Sequence, residues 1–427
     1  MKKHNVLIFP SCSEVGLASY ECLKNNKHFL VFGGSFDGKI SKNLFENLII
    51  NIPFVNSPNF LEYFNKIIHD YKIDVILPCN DLVALELSKN QDKINAKIAG
   101  SCYQTNQIAF SKLETYKTLY NIINTPKIYN YDQIKDSDFP LFLKPDNGHS
   151  AINTNMVSNF KELDFYFKKT KDLLILEFLP GEEYTIDCFT DKNGELRYCK
   201  SRIRVSIKSG MSVNTKFVEN NEIFLEIAKK INIKIKFNGG WFFQVKLNKF
   251  NYPVLMEIST RLAGNSNASL PNGINLPLLN LYNCLSYELD IVDSDTVIEM
   301  SKINSSKYIL KENEFKTVYI DLDDTIILDQ IVNLDAIKFL YYCFNKKKEI
   351  ILITRHKFEI LDTFDKYKIP QLFSSIIHIK NNKPKSLFID NNKIKDAIFI
   401  DDSFAERLDV SGIGIRVYGI EMLDYLK

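Results

Sequence analysis

The sequence predicts a three-domain chain of mixed α/β and α+β class, and three observations carry that expectation. Its 427 residues are more than one core organises, at about 150 residues per domain. Short continuous apolar runs alternate with helical patterns in the first hundred residues and again after residue 316, as in parallel sheets covered on both faces. Between them lie longer, aromatic-rich runs joined by turn sequences, as in an antiparallel sheet. The expected domains are 1–110, 111–292 and 316–427, with 293–315 as a polar linker.

In the first domain NVLIF (5–9), HFLVFGG (28–34) and IDVILPC (73–79) are expected strands, with helical patterns at 15–25, 59–71 and DLVALELSKN. The strands end in FPSCS, FGGS and LPCND, small and polar residues at the carboxyl edge where open α/β sheets bind ligands. No GxGxxG follows the first strand, which disfavours a nicotinamide-cofactor domain. In the middle, LLILEFL (173–179), EYTIDCF (183–189), WFFQVKL (241–247) and YPVLMEIS (252–259) read as strands of an antiparallel sheet with few clear helices. Hairpins are expected at DKNGE (191–195) and NKFN (248–251). After residue 316, TVYIDL, EIILIT, SSIIHI and DAIFID are expected strands, with helices near 333–347 and 357–367.

Lys and Arg total 54 against 52 acidic residues, so no global field points to nucleic acid or an anionic membrane. The 45% apolar content fits a globular protein with substantial cores. The eight cysteines form no CxxC pair and read as free thiols of a reducing compartment. The apolar run near the start breaks at Pro10, too early for a signal peptide, and none reaches the roughly 18 residues of a membrane span. A cytoplasmic location is expected. Only seven of the basic residues are Arg, so an Arg inside a motif is informative.

Asp321-Leu322-Asp323-Asp324-Thr325 follows the strand TVYI. Carboxylates at i and i+2 beyond a strand end can share a divalent cation, one attacking a phosphoryl group while the other handles the leaving-group proton. Thr354 ends the next strand, where its hydroxyl can hold a phosphate oxygen. Asp401 and Asp402 end another, where they can complete a magnesium site. Lys383 is the candidate cation facing the phosphorylated carboxylate, with Lys385 as its alternative. This ordered set resembles the haloacid dehalogenase phosphatase superfamily over residues 316–427. The resemblance implies a Rossmann-like domain with Asp321 as nucleophile, Asp323 as general acid/base, and Mg²⁺ on Asp321, the Asp323 carbonyl and Asp401 or Asp402. The spacing leaves no room for a cap domain.

FPLFLKPDNGHS (139–150) sets Lys144 after an apolar strand and before a polar loop carrying Gly148, as phosphate binding under a flap requires. His149 in that loop reads as a hydrogen-bonding residue. Further on, Glu177, Phe178 and Leu179 read as an adenine hinge and Glu183 as a ribose contact. Gln244 and Glu257, on adjacent strands, suit Mg²⁺, with Arg261 facing a phosphate. In this order the residues resemble the ATP-grasp superfamily over residues 1–290, near the carbamoyl-phosphate synthase large subunit and the carboxylate–amine ligases. The resemblance adds Lys112 as the first nucleotide lysine and implies ATP and Mg²⁺ as cofactors. Two departures stand out: Ser259 replaces the family's Asn metal ligand, and the flap holds a single glycine.

Arg202 and Arg204, on an expected strand facing the ATP site, are candidates to hold a substrate carboxylate or acyl phosphate. The combined expectation is a bifunctional enzyme. It joins a small-molecule carboxylate to an amine through an acyl phosphate, and its C-terminal domain removes a phosphate ester that the amine or the acid brings in and the conjugate carries. The alternatives are a phosphatase acting on a free metabolite before ligation, and a nucleotide-binding regulatory module without turnover. Neither a nucleic acid nor a membrane is an expected partner, and a homodimer is the assembly left open.

Overall fold

The computed structural model describes residues 3–148, 152–170, 172–208, 211–302, 306–310 and 315–426. The N-terminal sheet has five parallel strands in the order Leu48–Ile49, Phe29–Gly34, His4–Phe9, Val75–Pro78 and Lys97–Ile98. Its central strand is fully buried at Val6, Leu7 and Ile8, which explains the unbroken apolar run. Two following helices start at side-chain caps that satisfy otherwise orphaned backbone N–H groups. Ser13 accepts from the Gly16 amide, and Asn80 accepts from Leu82 and Val83.

Two antiparallel sheets occupy the middle. A four-stranded sheet runs Ile128–Tyr129, Leu173–Glu177, Leu141–Pro145, Asn155–Val157. A seven-stranded sheet runs Pro253–Ser259, Gly239–Leu247, Glu183–Thr190, Leu196–Lys208, Met211–Phe217, Val297–Lys302, Ser306–Leu310. The segment 173–179, expected in one sheet with 183–189, 241–247 and 252–259, pairs instead in the four-stranded sheet. Both expected hairpins form around side-chain acceptors: Asp191 Oδ1 takes the Asn193 and Glu195 amides, and Asn248 Oδ1 takes those of Phe250 and Tyr252. The middle is also more helical than expected, with Phe160–Lys169, Glu222–Lys234 and Leu276–Cys284. Trp241 is buried beneath the large sheet, stacked on Phe237 at 4.0 Å and donating to Thr190 at 2.8 Å.

The expected linker is corrected. Within 293–315, Val297–Lys302 and Ser306–Leu310 extend the large sheet as its last two strands. The inward residues Val297 and Met300 stand three apart, because the pairing register shifts between Val297 and Glu299. A bulge of this kind erases the period-two signal by which a strand is read.

The C-terminal sheet is parallel, in the order Ser375–His378, Glu349–Thr354, Thr317–Ile320, Ala397–Ile400, Arg416–Tyr418. A short hairpin turning at Asp329–Gln330, both at positive φ, and then helix Leu334–Asn345 fill the first connection. Helix Ile360–Tyr367 and strand Ser375–His378 fill the next, and no cap domain is inserted among the described residues. All eight cysteines are unpaired. Among the described residues no helix is long and apolar enough to cross a membrane.

Candidate functional site

The first candidate site is the cleft between the two antiparallel sheets. Lys144, at the end of strand Leu141–Pro145, is buried and donates across the cleft to the Met256 carbonyl at 2.9 Å. Burial pushes its ammonium down to about 8, opposed by Glu257 and assisted by Lys112. Lys112, buried at the start of helix Lys112–Leu119, donates to the Asp146 and Gly148 carbonyls at 3.0 and 3.3 Å. Asp146 in turn accepts from Ser111 and the Leu113 amide, tying the loop after Lys144 to that helix. Glu177, Phe178 and Leu179 line the same cleft as Lys144. The Glu177 carboxylate accepts from the Lys127 amide at 3.0 Å. His149 lies outside the described residues.

Gln244 and Glu257 are direct cross-strand partners. Gln244 donates through its amide nitrogen to Thr185 at 3.4 Å. A carboxylate and an amide at paired strand positions supply the kind of oxygen donors a hard divalent cation takes. Ser259 and Arg261 turn elsewhere, to Asp81 at the start of helix Asp81–Lys89 in the N-terminal domain. Arg261 donates to Asp81 Oδ2 from two nitrogens at 3.1 and 2.9 Å, and the Ser259 hydroxyl donates to Oδ1. Asp81 was not singled out from the sequence. Its signal was its place one residue after LPCN, at the carboxyl edge of the parallel sheet.

The two strand arginines part company. Arg204 pairs with Glu183, both half-buried, so the expected ribose contact and the expected substrate contact meet each other. Arg202 and Asp187 are both almost fully buried, with Nε to Oδ2 at 2.7 Å. The expectation that Arg202 holds substrate is corrected: a second buried charge already occupies it, and unpairing either would be costly.

The second candidate site crowns the C-terminal sheet. Ligand atoms of Asp321, Asp401 and Asp402 lie within 4.8 Å of one another. Lys385, itself buried, donates to Asp321 Oδ1 at 2.8 Å and to Asp401 Oδ2 at 2.7 Å. Lys385, not Lys383, is thus the cation at the carboxylates. Lys383 is exposed, and its carbonyl accepts from Arg355. Burial, then the Asp401 charge, raises the Asp321 carboxyl, while Lys385 opposes the rise. Thr354 is fully buried at its strand end. Thr325 accepts from the Asp402 amide at 3.2 Å, locking the two strand ends together.

Two further groups enter this site without having been read from the sequence. His356 Nδ1 sits 2.9 Å from Asp323 Oδ1, and its Nε2 sits 2.7 Å from the Thr363 hydroxyl. Its position two residues beyond Thr354, past the carboxyl edge, was the available clue. Lys27, from the N-terminal domain, donates to Asp324 at 3.1 Å and also to Asp402. Asp321, Asp401 and Asp402 bring three carboxylates together, a set of oxygen donors that fits one divalent cation.

Comparisons with known proteins bear on the fold. Residues 169–306 match the family model described as ATP-grasp in the biosynthetic pathway with Ter operon. No curated protein matches the chain in sequence. The biotin carboxylase domain of Hydrogenobacter thermophilus 2-oxoglutarate carboxylase, a dimer with MgADP, ADP and bicarbonate, superposes with TM-score 0.60 at 10% identity. That match covers 70% of this chain and 74% of the other. N5-carboxyaminoimidazole synthetase from Staphylococcus aureus, complexed with ADP, gives 0.56 at 15% identity over 71% and 83%. The L-amino acid ligase from Bacillus licheniformis gives 0.54 at 17% identity over 66% and 74%. Over the 66–71% of the chain that these matches cover, the fold is that of the ATP-grasp proteins, and residues 169–306 match an ATP-grasp family model.

Proposed function

We propose that the chain is a bifunctional enzyme, an ATP-dependent carboxylate–amine ligase fused to a phosphate monoester phosphatase of the haloacid dehalogenase type. The ligase half is supported by Lys144, a cation buried between two sheets and facing the strand that carries Glu257. Lys112 and Lys144 hold the ATP phosphates, the 177–179 segment takes the base, and Gln244 and Glu257 hold Mg²⁺. The bound metal supplies charge neutralisation at the transferring phosphoryl. Arg261, held by Asp81, and Arg204 orient the anionic reactants. The carboxylate oxygen takes the γ-phosphoryl of ATP, releasing ADP. The amine then attacks the acyl carbon, and phosphate leaves.

The phosphatase half is supported by one observation above others: Lys385, buried, bridges Asp321 and Asp401. Asp321, Asp401 and Asp402 hold Mg²⁺, which supplies screening between the nucleophile and the anionic phosphoryl. Asp321 attacks phosphorus, and Asp323 gives its proton to the departing alcohol. Water then cleaves the aspartyl phosphate, with Asp323 taking its proton. Lys385 and Thr354 hold the phosphoryl oxygens through both steps. In sequence, the ligase joins a phosphorylated partner and the phosphatase removes the ester. Incubating Asp321→Asn protein with ATP and acid–amine pairs tests this. A phosphorylated conjugate should accumulate where the wild type yields a dephosphorylated one; wild-type product from the variant would sink the scheme.

A further inference from the structure

Asp323, the proposed proton donor of the C-terminal site, has a side chain that is 52% exposed, against 8% for Asp321 and 1% for Asp401. An exposed carboxylate samples several rotamers, and one that must meet a departing oxygen within hydrogen-bond reach loses rate whenever it turns away. His356 stands against it. Its Nδ1 lies 2.9 and 3.0 Å from the two Asp323 oxygens, close enough for the ionised carboxylate to accept its proton through either. The ring is itself held. Its side chain is only 9% exposed, and Nε2 stands 2.7 Å from the hydroxyl of Thr363, which is buried at the start of helix Ile360–Tyr367. With Nδ1 donating, Nε2 of the neutral ring accepts from that hydroxyl. The backbone is fixed as well: the His356 amide donates to the Thr354 hydroxyl at 3.2 Å, and its carbonyl accepts from His378 Nε2 at 2.8 Å.

We propose that His356 is a positioning residue that holds Asp323 toward the departing oxygen of the monoester, with Thr363 fixing its ring. The inference rests on the phosphatase reading and adds to it the group that keeps the general acid in place. As an Asp321 oxygen bonds to phosphorus, the ester P–O bond breaks and the proton on one Asp323 oxygen passes to the departing alcohol oxygen. His356 keeps its own Nδ1 proton and donates to the other Asp323 oxygen. In the second step a water oxygen bonds to phosphorus, the bond from Asp321 to phosphorus breaks, and the same held carboxylate takes the proton of that water.

The test uses the full-length protein with Mg²⁺ and two monoesters, phenyl phosphate and dinitrophenyl phosphate. Phenolate needs a proton as it leaves, dinitrophenolate does not, and kcat/KM reports the steps up to that departure. His356→Ala should lower kcat/KM for phenyl phosphate about fiftyfold, part of the roughly 100- to 10,000-fold that a positioned acid supplies. For dinitrophenyl phosphate kcat/KM should fall less than about threefold, while kcat and KM fall together because the second step still needs Asp323 as base. His356→Asn, whose amide nitrogen can stand in for Nδ1, should recover most of the loss. Thr363→Val preserves side-chain shape and frees the ring. It should give the same pattern at severalfold size, and it guards against an alanine variant that fails to fold. Equal losses on both esters, or no loss on either, overturn the inference, while Asp321-dependent hydrolysis by the wild type keeps the phosphatase reading. A wild type that releases phosphate from neither ester overturns the phosphatase reading and the inference with it.

Discussion

Lys27 lies in the N-terminal domain and Asp324 in the C-terminal one, yet Nζ and Oδ2 stand 3.1 Å apart. The same ammonium also contacts Asp402, so the charge balance of the C-terminal site depends on how the domains are docked. Removing it leaves the acidic cluster one positive charge poorer. Lys27→Met should tighten Mg²⁺ binding about fivefold, as expected for roughly 1 kcal/mol of lost repulsion across a partly wet site. It should also loosen the docking. Metal titration followed by calorimetry reads the first effect and limited proteolysis the second; unchanged Mg²⁺ affinity would remove Lys27 from the site.

Nucleotide affinity should fall as pH rises through about 8. Lys144 is pushed down to about 8 by burial, so it carries its charge below that pH and loses it above. Triphosphate favours the charged form and restores the higher value, so binding above pH 8 takes up a proton. Affinity should drop by up to about tenfold per pH unit there. Calorimetry in buffers of different ionisation enthalpy measures the uptake directly, and a proton count of zero at pH 8.5 would contradict the assignment.

On the phosphatase proposal, Lys385→Met should lower monoester hydrolysis by about a thousandfold, because the cation beside Asp321, the proposed nucleophile, is lost and two buried carboxylates are left facing each other. Lys383→Met, at an exposed loop position, should change it less than about threefold. Steady-state rates with a chromogenic monoester distinguish the two lysines.

Asp187→Ala should destabilise the protein by about 3–5 kcal/mol, since it strands the Arg202 guanidinium in the core. Replacing both partners, as Asp187→Leu with Arg202→Met, should restore most of that loss. Neither change should alter nucleotide affinity in protein that remains folded. Urea unfolding of the two variants beside the wild type checks the order, and a double variant as unstable as the single one would count against a purely structural ion pair.

Much of the architecture was legible before folding. Continuous apolar runs marked the two parallel sheets because such strands are buried on both faces. Asp191 and Asn248 marked their hairpins because their side chains cap the turns. The strand Val297–Lys302 was hidden by its bulge, and 173–179 was assigned to the wrong sheet because alternation reports a face and not a partner.

The chemistry divides along the same line. The sequence alone determined that Asp321, Asp323, Thr354 and Asp401 would share one sheet edge, because each ends a parallel strand or follows one directly. It likewise determined that Gln244 and Glu257 lie on neighbouring strands. Only the tertiary structure decided between Lys383 and Lys385, consumed Arg202 in an ion pair, turned Arg261 and Ser259 toward Asp81, and brought Lys27 and His356 to the C-terminal carboxylates. Those outcomes depend on which charges meet after distant segments pack, and a carboxylate or ammonium buried by packing takes the nearest opposite charge wherever in the chain it lies.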